Sequence, residues 1–173
     1  MKRNRFLLLI LALVAFGPTA WAQDLIIDSE EDWDDFATAV SNGNTFANKT
    51  VKLIADISVT KMVGLTSTNR FCGTFDGGGH TLTVNYNVYE NDAAPFRFVE
   101  GAAIKYLHVA GTITTSGQFA GGLIGEAYGN SFVNSCWSSV TISSSRPGDG
   151  THGGFIGVAR GNFTLKNCRF CRS

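Results

Sequence analysis

The sequence is poor in charged residues, and the two signs balance. Only 16% of its 173 residues are Asp, Glu, Lys or Arg, with 14 basic residues against 14 acidic ones. A nucleic-acid partner would require a basic patch, and attraction to an anionic membrane would require a cluster of Lys and Arg. The composition therefore predicts no nucleic-acid partner and no polybasic membrane surface.

Acidic residues are especially scarce in the second half of the chain. Seven of the 14 acids lie between Asp24 and Asp35, and after Glu100 only Glu126 and Asp149 follow. Glycoside hydrolysis needs two carboxylates roughly 5–10 Å apart, and neither late acid has an acidic counterpart in the repeat described below. We therefore predict no catalytic residues, and we keep a partial or degenerate carbohydrate-active enzyme as the alternative.

Long apolar segments are missing after residue 22, so we expect no membrane-spanning helix, which would need about 20 apolar residues. The first 22 residues combine a basic start, an 11-residue apolar run at 6–16 and an A-x-A site at 20–22. This pattern is typical of a secretory signal cut between Ala22 and Gln23. An N-terminal anchor is the alternative, but the run is short, and no Cys follows the cut to carry a lipid.

Export would leave one domain in the periplasm, at the cell surface or outside the cell. Removal of 22 of the 173 residues leaves 151, and the signal takes three of the 14 basic residues with it, so 11 remain against 14 acids. The mature chain keeps all four cysteines, which are Cys72, Cys136, Cys168 and Cys171. Disulfides and buried free thiols both remain open, and the pattern favours free thiols at Cys136 and Cys168. The C-x-x-C at 168–171 has no second pair, so we expect neither a metal nor a cofactor.

Residues 23–45 are predicted to form an N-terminal cap made of a strand and a helix. Leu25–Ile27 reads as the strand, and Ser29 is suited to cap the helix that follows. The apolar residues recur at helical spacing, and Gly43 is suited to end the helix. The predicted buried face consists of Trp33, Phe36, Ala37 and Val40.

From residue 46 to residue 173 the sequence predicts an all-β region with an internal repeat. Segments 121–136 and 153–168 align at an offset of 32, with eight of 16 positions identical. The identical positions include Gly121, Gly122, Gly125 and Cys136, which match Gly153, Gly154, Gly157 and Cys168. One such unit cannot bury its apolar side chains alone and must stack on its neighbours. We therefore predict a parallel β-helix with coils of about 30 residues.

Weaker copies of the repeat extend the predicted register towards the N-terminus. An offset of 29 places Ile104, Leu107 and Ile113 where Val133, Cys136 and Ile142 lie, and a looser match aligns 95–98 with 122–125. Stacked coils would then form inward ladders. The predicted ladders are Leu107 with Cys136 and Cys168, Ile113 with Ile142, and Leu123 with Phe155. Gly125 and Gly157 would mark turns or close approaches between chain segments.

Two groups of polar and aromatic residues could form a site. Segment 76–80, Asp-Gly-Gly-Gly-His, is more simply a tight turn than a catalytic pair, because Asp and Gly favour turns. His108 is expected to face outward on a strand and His152 to lie in a loop. The aromatic residues Tyr86, Tyr89, Tyr106, Tyr128 and Trp137 could stack on sugars, but Tyr106 and Trp137 are not expected to share one row.

The glycine-rich pair GGLIG at 121–125 and GGFIG at 153–157 resembles the GLUG-motif repeats of bacterial surface proteins. Further segments occur in order at 32–36, 51–57, 71–82 and 104–107. Together they resemble exported, pectin-lyase-like right-handed β-helix proteins of Gram-negative gut bacteria, over roughly residues 25–170. The resemblance implies a right-handed parallel β-helix and a role as a surface, adhesin-like or carbohydrate-associated protein.

The leading hypothesis is a non-enzymatic secreted or surface β-helix that contacts glycans or a host or cell-surface protein. Its strands offer hydroxyl groups, which are Thr114, Thr115, Ser138, Ser139, Ser143, Ser144 and Ser145. The alternatives are the degenerate enzyme and a fragment without a function of its own. We expect the coils to be truncated at the C-terminus, where a partner or a missing segment would cover the last coil.

Overall fold

The computed structural model describes residues 25–146 and 151–171, and these residues form a parallel β-helix with one short helix. The elements follow one another as β1 Leu25–Ile27, α1 Glu30–Ser41, β2 Thr50–Leu53, β3 Ile57–Val59, β4 Thr74–Asp76, β5 Thr81–Val88, β6 Phe96–Glu100, β7 Ala103–Lys105, β8 His108–Thr115, β9 Ile124–Tyr128, β10 Asn130–Asn134, β11 Trp137–Ser144, β12 Ile156–Ala159, β13 Asn162–Lys166 and β14 Arg169–Phe170. This confirms the predicted fold class.

Three parallel sheets run along the helix axis. The first has the order β1-β2-β4-β7-β10-β13, the second β14-β11-β8-β5-β3 and the third β12-β9-β6. Each coil contributes a strand to a sheet and pairs with the coil before and the coil after it, so the backbone groups of one coil are satisfied by its neighbours. No helix within the described residues combines the length and apolar character needed to cross a membrane.

The strand register confirms two of the predicted offsets. Gly121 pairs with Gly153 and Ile124 with Ile156, which is the offset of 32. The offset of 29 is also present, and its pairs are Val133 with Ile104 and Ile142 with Ile113.

The looser match of 95–98 with 122–125 is wrong by one residue, because Phe96 pairs with Ile124 rather than with Leu123. Phe96 and Val99 both enter the core, as do their partners Ile124 and Ala127. This sheet therefore departs from strict alternation, and the apolar pattern alone does not determine its register.

The predicted ladders point into the helix. Leu107 and Cys136 are buried and Cys168 is half-buried, and Ile113 lies above a partly covered Ile142. Leu123 and Phe155 are also buried and joined through the Leu123 N–H, which donates to the Phe155 carbonyl at 3.0 Å. The inward faces of successive coils thus form one continuous apolar core.

Gly125 and Gly157 are positions of close approach rather than turns. A Cβ atom on Gly125 would collide with the carbonyl of Asp92, and one on Gly157 would collide with the carbonyl of Phe119. In each case a loop crosses directly over the strand, which only a residue without a side chain permits. Gly125 and Gly157 are therefore required for packing. Of the two roles predicted for them, the close approach between chain segments is confirmed.

Helix α1 covers the first coils and seals the core. Ser29 caps it, with its side chain accepting a hydrogen bond from Asp32 N–H, and Gly43 follows it with a φ of 93°. The face predicted from the sequence is the buried one, so this part of the cap is confirmed. Trp33 lies with its ring centroid 5.9 Å from that of Phe75 and 5.6 Å from that of Phe96, and its indole N–H donates to the Lys61 carbonyl at 2.9 Å.

Trp33→Ala is expected to lower the free energy of unfolding by about 3–5 kcal/mol, because it opens a cavity among buried aromatic rings. Trp33→Phe keeps most of the packing but leaves the Lys61 carbonyl without its donor, a loss of about 1 kcal/mol. Urea unfolding followed by circular dichroism measures both. Tyr89→Ala is the control, because Tyr89 is 84% exposed. Equal unfolding midpoints for Trp33→Ala and the control would contradict the role assigned to the cap.

Candidate functional site

The second sheet presents a flat polar surface to the outside, which we call the polar face. Alternate residues of a strand share a face, and the register stacks the outward residues of β5, β8 and β11 in three files. These files are Thr83, Ala110 and Ser139; Asn85, Thr112 and Thr141; and Asn87, Thr114 and Ser143. Neighbouring strands lie about 4.8 Å apart, so each file is a short row of closely spaced side chains. All of them are polar except Ala110 in the first file.

Part of the predicted hydroxyl set does not belong to the polar face. Thr115 and Ser138 are buried, because each directly follows an outward residue and so points inward. The Thr115 hydroxyl donates to the Glu90 carbonyl at 3.4 Å, and the Ser144 hydroxyl accepts a hydrogen bond from Arg146 N–H at 3.2 Å. The prediction is wrong for Thr115 and Ser138, because it counted consecutive residues as one surface.

The polar face carries no formal charge. Strands β5, β8 and β11 contain no Asp, Glu, Lys or Arg along their whole lengths. The Thr112 hydroxyl donates to the Asn85 side-chain oxygen at 3.2 Å, which leaves the acceptor lone pairs of the hydroxyl available. The three strands can therefore offer hydrogen bonds to a ligand, whereas the neighbouring strand β14 adds the cation of Arg169, which pairs with Trp137 and lies 5.8 Å from the centre of its ring.

A shallow aromatic groove of about 230 Å³ borders the polar face where β8 and β11 begin. Its lining consists of Gly79, Tyr106, Leu107, His108, Ser135 and Trp137. Tyr106 and Trp137 are 47% and 43% exposed, so both rings reach solvent. Their positions are not paired in the register, as the sequence predicted, because Trp137 pairs with His108. Both nevertheless line the same groove, which the sequence analysis missed.

His108 links the aromatic groove to the polar face. Its ring is stacked on Trp137 with centroids 4.3 Å apart and an interplanar angle of 18°. Its Nε2 lies 2.9 Å from the Ser139 hydroxyl and its Nδ1 lies 3.3 Å from the Thr81 hydroxyl. Partial burial lowers the pKa of His108, against a smaller opposing effect of the Asp56 carboxylate. The neutral ring is therefore favoured, and it covers one face of the Trp137 ring.

Segment 76–80 forms the predicted turn and not a catalytic pair. The Asp76 side chain accepts a hydrogen bond from Gly78 N–H at 3.1 Å, and the same carboxylate lies 3.1 Å from the Lys105 amine. His80 instead faces Asp56 at 3.3 Å, and Asp56 also accepts from Thr81 N–H at 2.8 Å. That hydrogen bond is the main reason for the lowered pKa of Asp56. These contacts hold the turn beside the aromatic groove.

Two buried carboxyl groups meet on the third sheet, and we call them the acid pair. Asp92 and Glu126 are only 7% and 6% exposed, and each affects the pKa of the other. The Tyr128 hydroxyl donates to Glu126 Oε2 at 2.5 Å, and Arg160 donates to Glu126 Oε1 at 3.1 Å. The sequence analysis missed this pair, because Asp92 lies in the loop before β6 and not at a repeat offset from Glu126.

The surroundings of the acid pair favour a proton on Asp92. Burial and the neighbouring Glu126 raise the pKa of Asp92 to about 7, with Arg97 and Arg160 opposing the shift. Burial would raise the pKa of Glu126 as well, but Arg160, Tyr128 and Asp92 outweigh it and lower that pKa. These opposite shifts favour protonated Asp92 beside ionised Glu126.

The next coil replaces the acid pair with apolar residues. Val158 pairs with Glu126 in the register, and Phe119 occupies the position equivalent to Asp92. Asp92 and Phe119 share positive φ angles of 65° and 60°, and each places its carbonyl over a repeat glycine. The same loop contact with the third sheet thus occurs in both coils, with the acid pair in one and apolar residues in the next.

The cysteines are free thiols in the structure. Burial raises the pKa of Cys136 to about 12, so its thiol stays protonated and poorly reactive.

Within residues 25–146 and 151–171, no group of three or more His, Cys, Asp or Glu is placed to hold a metal ion. The signal cut at Ala22 and Gln23, and Asp149, lie outside the described residues. His152 accepts a hydrogen bond from Ala120 N–H at 3.2 Å, as fits a loop residue.

Comparisons with family models, with curated proteins and with solved structures give no match. The resemblance to GLUG-motif and pectin-lyase-like proteins therefore stays a prediction.

Asp92→Asn is expected to flatten the pH dependence of stability. Because the pKa of Asp92 is raised from its ordinary value of 3.8 to about 7 in the folded state, stability falls as the pH rises from about 4 to about 7 and levels off above that. Asn stays uncharged at every pH and tolerates a positive φ. Urea midpoints from about pH 4 to pH 9 test this.

The matched control is Glu31→Gln, at an exposed acid in the first turn of α1. It should keep the wild-type fall in stability between about pH 4 and pH 7. An unchanged fall in Asp92→Asn would contradict the raised pKa of Asp92.

Proposed function

We propose that this chain is an exported β-helix that binds glycans at the aromatic groove and the polar face and does not cleave them. The observation that carries the proposal is the placement of Tyr106 and Trp137, two exposed rings, at the margin of an uncharged hydroxyl-rich sheet surface. Such a surface suits an adhesin that holds a sugar polymer at the bacterial surface.

The groove supplies both kinds of contact that a sugar requires. Tyr and Trp rings provide a rigid apolar surface at low entropic cost, with a polar atom at the edge. A pyranose ring has an apolar face of C–H groups, which can lie against the exposed part of Trp137 that His108 leaves uncovered, and a rim of hydroxyls. Ser135 in the same lining and the hydroxyls of the polar face offer donors and acceptors to that rim.

Binding without cleavage is favoured by the chemistry of the lining. The groove is lined by Gly79, Tyr106, Leu107, His108, Ser135 and Trp137, a set without a carboxyl group. The acid pair lies on a different sheet, and both oxygens of Glu126 are engaged by Tyr128 and Arg160. A general acid and base at the groove would have to come from elsewhere, and His108 is held between two hydroxyls.

Export and surface location are supported by the sequence. The signal pattern at 1–22 and the likeness of 121–125 and 153–157 to GLUG repeats both suit a protein that works outside the cytoplasm. A stack of parallel coils also suits this setting, because continuous strand pairing holds the side chains of the binding surface at fixed spacing.

Trp137→Ala should weaken glycan binding about three- to tenfold, the equivalent of an aromatic contact of about 0.5–1.5 kcal/mol. A glycan array with purified protein identifies the bound class, and isothermal titration measures the affinity. Tyr89→Ala is the control, because Tyr89 is highly exposed and lies outside the groove. A folded protein that binds only a cell-surface protein, or that releases sugar products, would contradict the proposal.

A further inference from the structure

The polar face continues well beyond the aromatic groove along the strands. Strands β8 and β11 pair without interruption from His108 with Trp137 to Thr115 with Ser144. At about 3.3 Å per residue, Trp137 and Ser143 lie roughly 20 Å apart. This span is several times the length of a single sugar ring, so one ring in the groove leaves most of the face uncovered.

The far part of the face is built like the near part. Thr114 and Ser143 are exposed and lie side by side in the register, and Asn87 completes their file. The middle file places Thr112 between the groove and this end, again exposed. Hydroxyl and amide groups therefore continue at a spacing of two residues from Ser139 to Ser143.

The absence of charge restricts the ligand. An acidic sugar would lose water from its carboxylate on binding, and burying a charge without a partner is costly. The three strands of the face contain no Lys or Arg. Arg169 of β14 lies at the groove end, 5.8 Å from the centre of the Trp137 ring, so acidic rings further along the strands would have no cationic partner on these strands. Neutral hydroxyl groups on the ligand, in contrast, can pair with the Thr, Ser and Asn side chains.

We propose that the site takes a linear, neutral oligosaccharide of several rings. One ring lies against the exposed parts of Tyr106 and Trp137 in the aromatic groove, and the following rings run along β8 and β11 towards Thr114 and Ser143. This inference rests on the proposed function and adds to it the length, the charge and the direction of the ligand.

The test compares neutral oligosaccharides of increasing length on the full mature chain. The probes are the gluco-, manno- and xylo-oligosaccharides with β-1,4 linkages and the β-1,3-gluco-oligosaccharides, each from monosaccharide to hexasaccharide. Oligogalacturonides of the same lengths are the acidic comparison. We expect affinity for at least one neutral series to rise about tenfold or more from monosaccharide to hexasaccharide, as added hydrogen bonds contribute about 0.5–1.5 kcal/mol each.

The double variant Thr114→Val with Ser143→Ala removes the two far hydroxyls and keeps the shape of the strand. It should weaken hexasaccharide binding about fivefold, because two exposed hydrogen bonds are lost, while monosaccharide binding stays unchanged. Thr164→Val is the matched control, since Thr164 is exposed on β13 in a different sheet. It should bind every probe as the wild type does.

The outcomes separate this inference from the proposed function. If Trp137→Ala weakens binding but affinity does not depend on ligand length, the groove is a single-ring site and only the extended site is overturned. If oligogalacturonides bind more tightly than every neutral series, the neutral class is overturned. If the folded chain binds none of the neutral series or the acidic one, both the extended site and the proposed function fail.

Discussion

The structure depends on one constraint, which is that every coil must pair in register with the coils on either side of it. The strands are three to eight residues long in most coils, and strands this short are not stable alone in water. Parallel pairing satisfies their backbone groups and stacks Leu107 on Cys136 and Ile113 on Ile142 at the same time. One strand register therefore fixes both the apolar core and the polar face, because alternate side chains of each strand point to opposite sides of the sheet. A shift of one residue in the pairing would disrupt both.

Close packing follows from this constraint. The loops that leave one sheet must cross over the next coil without pushing it out of register, which is why Asp92 and Phe119 place carbonyls directly over Gly125 and Gly157. The N-terminal end is closed differently, by Trp33 and the aromatic rings around it. Helix α1 thus covers the core at the N-terminal end, as a neighbouring coil covers it elsewhere.

Local patterns in the sequence predicted much of this architecture. The buried face of α1 was readable because helical spacing repeats within a few residues, and the pairing of Gly121 with Gly153 was readable because both repeats kept the same glycines. The register of Phe96 was not readable, since its sheet breaks the alternation on which the alignment relied. The same rule of alternation, applied to Thr115 and Ser138, would have shown that they point inward.

The candidate sites were harder to predict, because they depend on contacts between segments with unrelated sequences. Tyr106 reaches the aromatic groove from a turn with a φ of 53°, and Trp137 reaches it from a strand. Asp92 meets Glu126 only because its loop folds back over the third sheet. One coil carries Asp92 beside Glu126 at this position, and the next carries Phe119 and Val158. A repeat protein of this kind can therefore carry titratable side chains in one coil and apolar side chains at the equivalent positions of the next. The second coil then shows how the same backbone contact is made without a titratable group.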